Sequence, residues 1–210
     1  MRKFKFFINF HKEEKWLESM AAQGWQMKKQ SFGYVFESAI PELANIKIDY
    51  RHFKNQQHFL EYCTLFEDSG WQHIAGTKNS GNQYFKQAGD CCGEDIFSDD
   101  TSRAGRYKRL SEMMLAMFIV FFPLVIISFM QGTLGLGAFT NPRELYLTPG
   151  LWELSGSEFW SAFLFETPFA LMRGFSMSIG LIIFLAYVFL TIKSWLLYRS
   201  AINTDKYRRQ

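Results

Sequence analysis

The stretch Met113–Met130, MMLAMFIVFFPLVIISFM, contains no charged residue. With its flanks, from Leu110 to Gly132, it is long enough to cross a bilayer as a helix, for which about 20 apolar residues suffice. A second run, Phe175–Tyr198, holds one cation, Lys193, near its end. These two runs predict the division of the chain. Residues 1–88 form a polar domain, and 89–109 an acidic linker with a basic juxtamembrane helix. Residues 110–132 and 174–198 are the two transmembrane helices of a hairpin. Residues 133–173 are an extracytoplasmic or interfacial loop, and 199–210 a basic tail.

Within the polar part, alternation over Arg2–Asn9 predicts a strand with Phe4, Phe6 and Ile8 inward and Lys3, Lys5 and Asn9 outward, Phe7 being the exception. Lys12–Gln23 reads as a helix with Trp16, Leu17, Met20 and Ala21 on one stripe and Gly24 at its end. Trp25–Ser31 and Tyr34–Ser38 read as a hairpin. The same order then recurs. A strand over Ile46–Arg51 precedes a helix capped by Asn55 and ended by Gly70, and a hairpin of Trp71–Gly76 with Gln83–Lys86 follows. Gly24-Trp25-Gln26 and Gly70-Trp71-Gln72 lie 46 residues apart. The expected fold is α+β: two tandem β-α-β-β units forming a two-layer helix-on-antiparallel-sheet domain, followed by the two-helix transmembrane hairpin.

Charge and cysteine content narrow the function. Residues 1–110 carry 16 Lys/Arg against 14 Asp/Glu, too even for a dedicated nucleic-acid binder. Cys63 stands alone and Cys91 and Cys92 are adjacent, without metal-ligand spacing or a disulfide framework, so no metal and no cofactor are expected. The opening MRKFKFFINF lacks the uninterrupted apolar core of a secretory signal. No phosphate loop, nucleophile elbow or zinc-protease motif occurs, and the expectation is a binding module and not an enzyme.

The residues singled out for binding are Trp25 and Trp71, which either lock helix ends onto the sheet or line an aromatic pocket at a pseudo-twofold axis. Lys5, Asp49 and Arg51 alternate with core positions and are expected on an open polar face, solvated or used for docking. Arg103, Arg106, Lys108 and Arg109 precede the first apolar run, and Trp195, Tyr198 and Arg199 end the second. All seven are expected to anchor the chain at a membrane surface. Between the runs, the loop is aromatic and acidic, and Ser157–Met172 suggests a short interfacial helix. Positive charge at the outer ends of both runs places both termini in the cytoplasm.

The run Lys12-Glu13-Glu14-Lys15-Trp16-Leu17, with Met20-Ala21, Gly24-Trp25, Ser31-Phe32-Gly33 and Asp95-Ile96-Phe97-Ser98-Asp99, resembles the bacterial domain-of-unknown-function family numbered 2812. The likeness covers roughly residues 1–110. It implies C-terminal membrane spans and genes beside PadR-like transcription regulators, and it supplies no activity and no catalytic residues. The expectation is a membrane-anchored cytoplasmic module that binds a ligand or an unidentified protein partner and regulates or senses at the bacterial envelope. The alternative is an accessory subunit of a transporter or drug-resistance complex.

Overall fold

The computed structural model of the chain describes residues 1–89, 93, 95–130 and 141–208, without the side chains at 129, 176–178 and 204–208. Asp90, Cys91, Cys92, Glu94, Gly132, Gly135 and Gly137, on which part of the linker and loop expectations rest, lie outside the described residues. Two compact units emerge, Met1–Met113 with Ile192–Gln210, and Met114–Thr191.

The first unit opens with β1 (Arg2–Lys3), α1 (Phe10–Ala22), β2 (Trp25–Gln30) and β3 (Tyr34–Ser38). It continues with β4 (Ile46–Tyr50), α2 (Gln56–Asp68), β5 (Trp71–Ala75) and β6 (Asn82–Gln87). Both sheets are antiparallel and share one topology, β1-β3-β2 and β4-β6-β5. The correspondence reaches single residues. Asn9 and Asn55 cap the two helices through backbone N–H groups three positions on, Lys12 and His58. Register shifts fall at Met27/Lys29 in β2 and at His73/Ala75 in β5. Gly24 and Gly70 end the helices at φ 81° and 82°.

At Gly24 a Cβ would also lie 2.9 Å from the Ala39 carbonyl oxygen. Gly24→Ala is therefore expected to cost more than the roughly 1 kcal/mol of forcing a side chain into the left-handed region. Thermal unfolding of the full chain in detergent checks this, and an unchanged midpoint would contradict it.

Packing follows from the helix stripes and the two-residue period of the strands. Leu17 and Met20 of α1 are buried, and Trp16 stands edge-on to Tyr34 with ring centroids 4.8 Å apart. α2 lays Phe59, Tyr62 and Cys63 over Trp71 and Phe85. The helix-on-sheet arrangement thus holds for each half. The second sheet is covered on both faces, because Ile48 and Tyr84, which point away from α2, are buried by α1.

The N-terminal stretch departs from expectation. Its strand spans Arg2–Lys3 alone, Phe4 and Phe6 are 70% and 76% exposed, and the ring that packs is Phe7, against Trp16 and Tyr34. Alternation cannot be read across a strand of two residues.

The linker returns to the domain. Ile96 packs on the α2 cluster, and Asp99 accepts from the Ser102 N–H at 2.6 Å, capping α3 (Asp100–Met130). In the second unit, Pro142–Leu145 and Leu151–Glu153 form short 3-10 turns. α4 then runs unbroken over Gly156–Arg208. At 1.5 Å per residue its 53 residues extend for about 80 Å. The segment 157–172 is therefore helical as expected but continuous with the second apolar run. α3 and α4 are each long and apolar enough to cross a membrane. They meet through Phe118 against Phe184 and Phe121 against Tyr187, both at 5.4 Å.

Candidate functional site

β4 is an edge strand, and an open edge leaves backbone N–H and C=O groups without a ladder. Here side chains take that role. Glu18 accepts from Ile46 N–H at 3.3 Å and Glu14 from Ile48 N–H at 3.1 Å. From α3, Arg106 donates to the Ile48 carbonyl at 2.7 Å and Arg109 to the Tyr50 carbonyl at 2.5 Å. The two arginines also pair with carboxylates: Arg106 with Glu14, and Arg109 with Asp49. The start of α3 thus seals the sheet edge.

Arg106 is 3% exposed. Three rings surround its guanidinium, Phe10, Phe97 and Tyr107, at 5.1, 5.4 and 5.5 Å. The Glu14 carboxylate and the three ring faces offset the cost of taking this charge out of water.

Beside this pair lies Glu13, 1% exposed, whose Oε1 accepts from the hydroxyls of Tyr34 at 2.7 Å and Tyr84 at 2.6 Å. One carboxylate therefore ties α1 to both sheets. Burial raises its pKa above the ordinary carboxylate value, with Glu14 adding to the rise, while the two hydroxyls and Arg106 oppose it. On the opposite face, the Tyr62 hydroxyl donates to Asp49 at 2.8 Å, and burial with that carboxylate pushes the phenol well up.

A cleft of about 550 Å³ opens next to this network. His11 and Glu14 of α1, Lys47 of β4, Arg103 and Arg106 of α3, and Leu197 near the end of α4 define it. Arg103 donates to Asp95 through Nε at 2.9 Å and Nη2 at 2.5 Å, and to Asp100 through Nη1 at 2.6 Å. These pairs are partly solvated, unlike that of Arg106. A carboxylate or phosphate entering the cleft can therefore exchange with Asp95 or Asp100 on the Arg103 fork at modest cost.

A family model, "Protein of unknown function (DUF2812)", matches residues 9–119, slightly more than half of the chain. The chain belongs to the DUF2812 family. No curated protein and no solved structure matches it. The matched segment extends past Arg109, so it takes in the part of α3 that seals β4.

The DUF2812 fold disperses the residues singled out in the sequence. Trp71 is 2% exposed within the α2 cluster, which leaves no room for a ligand, whereas Trp25 is half-buried at the start of β2. Asp49 does not point from an open face. α2 covers that face, and Asp49 is buried between Tyr62 and Arg109. Arg51 is exposed, 5.3 Å from the Tyr62 ring, and Lys5 is exposed, about 5 Å from the rings of Phe7 and Trp16.

The cationic cluster needs a larger correction. Arg106 and Arg109 are engaged by the domain, so these two are not free anchors for lipid headgroups, while the more solvated Arg103 is paired with Asp95 and Asp100. Lys108 is exposed, 3.9 Å from Glu112. On α4, Arg199 lies 4.2 Å over the Trp195 ring, and Tyr198 is half-buried.

Sequence reasoning missed Glu13, Glu14 and the tyrosines that hold Glu13. The available signal was helical phase: Phe10, Glu13, Leu17 and Met20 share one face, which puts a carboxylate inside an apolar stripe. Cys63 is a buried thiol pushed up to about 11 by burial and Glu67. Among the described residues, no group of three His, Cys, Asp or Glu is arranged to hold a metal.

The second unit has a polar node of its own. Glu166 accepts from the Leu147 N–H at 3.2 Å and from the Thr148 hydroxyl, and it pairs with Arg173 one helical stretch further on. Beside it Tyr146, Trp152, Phe159 and Phe163 pack as an aromatic cluster.

Proposed function

We propose that this protein is a membrane-anchored cytoplasmic binding module, not an enzyme, with both termini on the cytoplasmic side and a regulatory or sensory role at the bacterial envelope. The observation that carries the reading is the position of Arg103 and Arg106. They border the 550 Å³ cleft, and they belong to α3, the helix that continues into the first apolar run. A ligand or partner group competing for Arg103 acts directly on the seat of that helix. Such a change shifts an equilibrium only by the difference in affinity for the two seatings. No redox, metal or nucleophilic step is needed.

Two measurements test this. Reporter fusions at either end should both report the cytoplasm, and an external signal from either would refute the topology. Full-length protein captured in mild detergent should retain a molecule or protein that a combined Arg103→Ala and Lys47→Ala variant loses.

The node of Glu166, Thr148 and Arg173 supports a second reading, because ion pairs beside apolar helices often mark a transported substrate's path. In that case the protein is an accessory subunit of a transporter. Its captured partner should then be lost on Trp152→Ala or Trp160→Ala and be indifferent to the cleft variant.

A further inference from the structure

Among the described residues of the first unit, Phe32 is the most exposed aromatic, at 91%, and its backbone sits at φ 45°, a region that bulky side chains avoid. The same turn holds Gly33 at φ 100°, where a Cβ would lie 2.9 Å from the Lys3 carbonyl oxygen and 3.0 Å from the Phe4 ring. The turn is thus pressed onto the N-terminal strand, which pairs with β3 through Arg2 opposite Val35 and Lys3 opposite Tyr34. Phe4, Phe6 and Phe32 consequently share one tip, with Lys5 among them. Strain at an exposed phenylalanine, three rings in water and a glycine that clamps them together do not serve the core.

We infer that this tip is a lipid-insertion point that beds the domain on an anionic bilayer surface, an inference that rests on the membrane reading proposed above. Charge selects the occupant. Residues 1–9 and 28–36, which build the tip and its flanks, contain Arg2, Lys3, Lys5, Lys28 and Lys29 and no Asp or Glu. Arg2, Lys5, Lys28 and Lys29 are exposed, with Lys28 paired to Glu37 at 2.7 Å. Aromatic rings surrounded by cations match the boundary between acyl chains and anionic headgroups, each cation near such a surface being worth about fivefold in binding. The two apolar helices of the same chain keep the domain near a bilayer, so even a weak patch would be occupied.

The test uses the full chain in nanodiscs with a photo-reactive benzophenone amino acid introduced at Phe32, and separately at Val120 of α3. Val120 is 61% exposed on the apolar helix and reports the membrane reading alone. Irradiation should attach phospholipid at both positions. At Phe32 the yield should be about fivefold or more higher in discs containing phosphatidylglycerol than in phosphatidylcholine discs, and Lys5→Glu should lower it. Lipid attached at Val120 with none at Phe32 would overturn the insertion point and leave the membrane reading standing. A covalent dimer, or a protein adduct, at Phe32 would also overturn it. No lipid at either position would remove both.

Discussion

Arg106→Ala is expected to destabilise the first unit by about 3–5 kcal/mol, because it leaves the Glu14 carboxylate buried without its counter-charge and the Ile48 carbonyl without its donor. The guanidinium also fills the space between Phe10, Phe97 and Tyr107, so the loss is one of packing as well as charge. Urea unfolding of the full chain in detergent, followed by tryptophan fluorescence, measures it. Glu14→Gln combined with Arg106→Met should recover the part of the loss that comes from the unpaired charge and the vacated space, while the Ile48 carbonyl stays without its donor. A cost below about 1 kcal/mol for the single alanine would mean that α3 does not hold the β4 edge.

Glu13→Ala is expected to cost on the order of 3 kcal/mol, since the hydroxyls of Tyr34 and Tyr84 both lose their acceptor in a buried site. Glu13→Gln separates charge from hydrogen bonding, because its amide oxygen still accepts. The folded-state pKa of Glu13 is raised. Its contribution is therefore fully present below the unfolded value, near 4.5, and is lost as pH rises through the folded value. Wild type should lose stability relative to Glu13→Gln over that window, with the difference levelling off above it. A difference that grew in favour of wild type with rising pH would reverse the assigned direction.

What the sequence made legible was local. Asn55, Gly70 and Trp71 announce a helix start, a helix end and a strand, and each does so through its own backbone preference or position. The spacing of Gly24-Trp25-Gln26 and Gly70-Trp71-Gln72 pointed to like elements in both halves, whereas the two register shifts carried no mark in the sequence. What stayed hidden was contact between distant elements. Asp49 alternates with Ile48 and Tyr50 as a solvent-facing residue would, and only the placement of α2 over that face makes it buried. Arg106 and Arg109 stand in a basic run before an apolar helix, the ordinary signature of a headgroup contact. Their partners Glu14 and Asp49 lie 92 and 60 positions away. Phe4 and Phe6 follow the strand alternation but fall outside the two residues that pair.

The sealed edge of β4 bears on how the chain is made. Synthesis delivers the N-terminal elements first, and among the described residues all six strands precede the helix that closes the sheet. Until Arg106 and Arg109 emerge, the nascent domain exposes a strand margin open to pairing with other chains. Those residues are followed at once by the first apolar run, so completion of the fold coincides with the arrival of a segment long and apolar enough to cross a membrane. A truncation that stops near residue 90 would freeze the molecule at its most adhesive stage, and aggregation of such a fragment would report an unfinished margin.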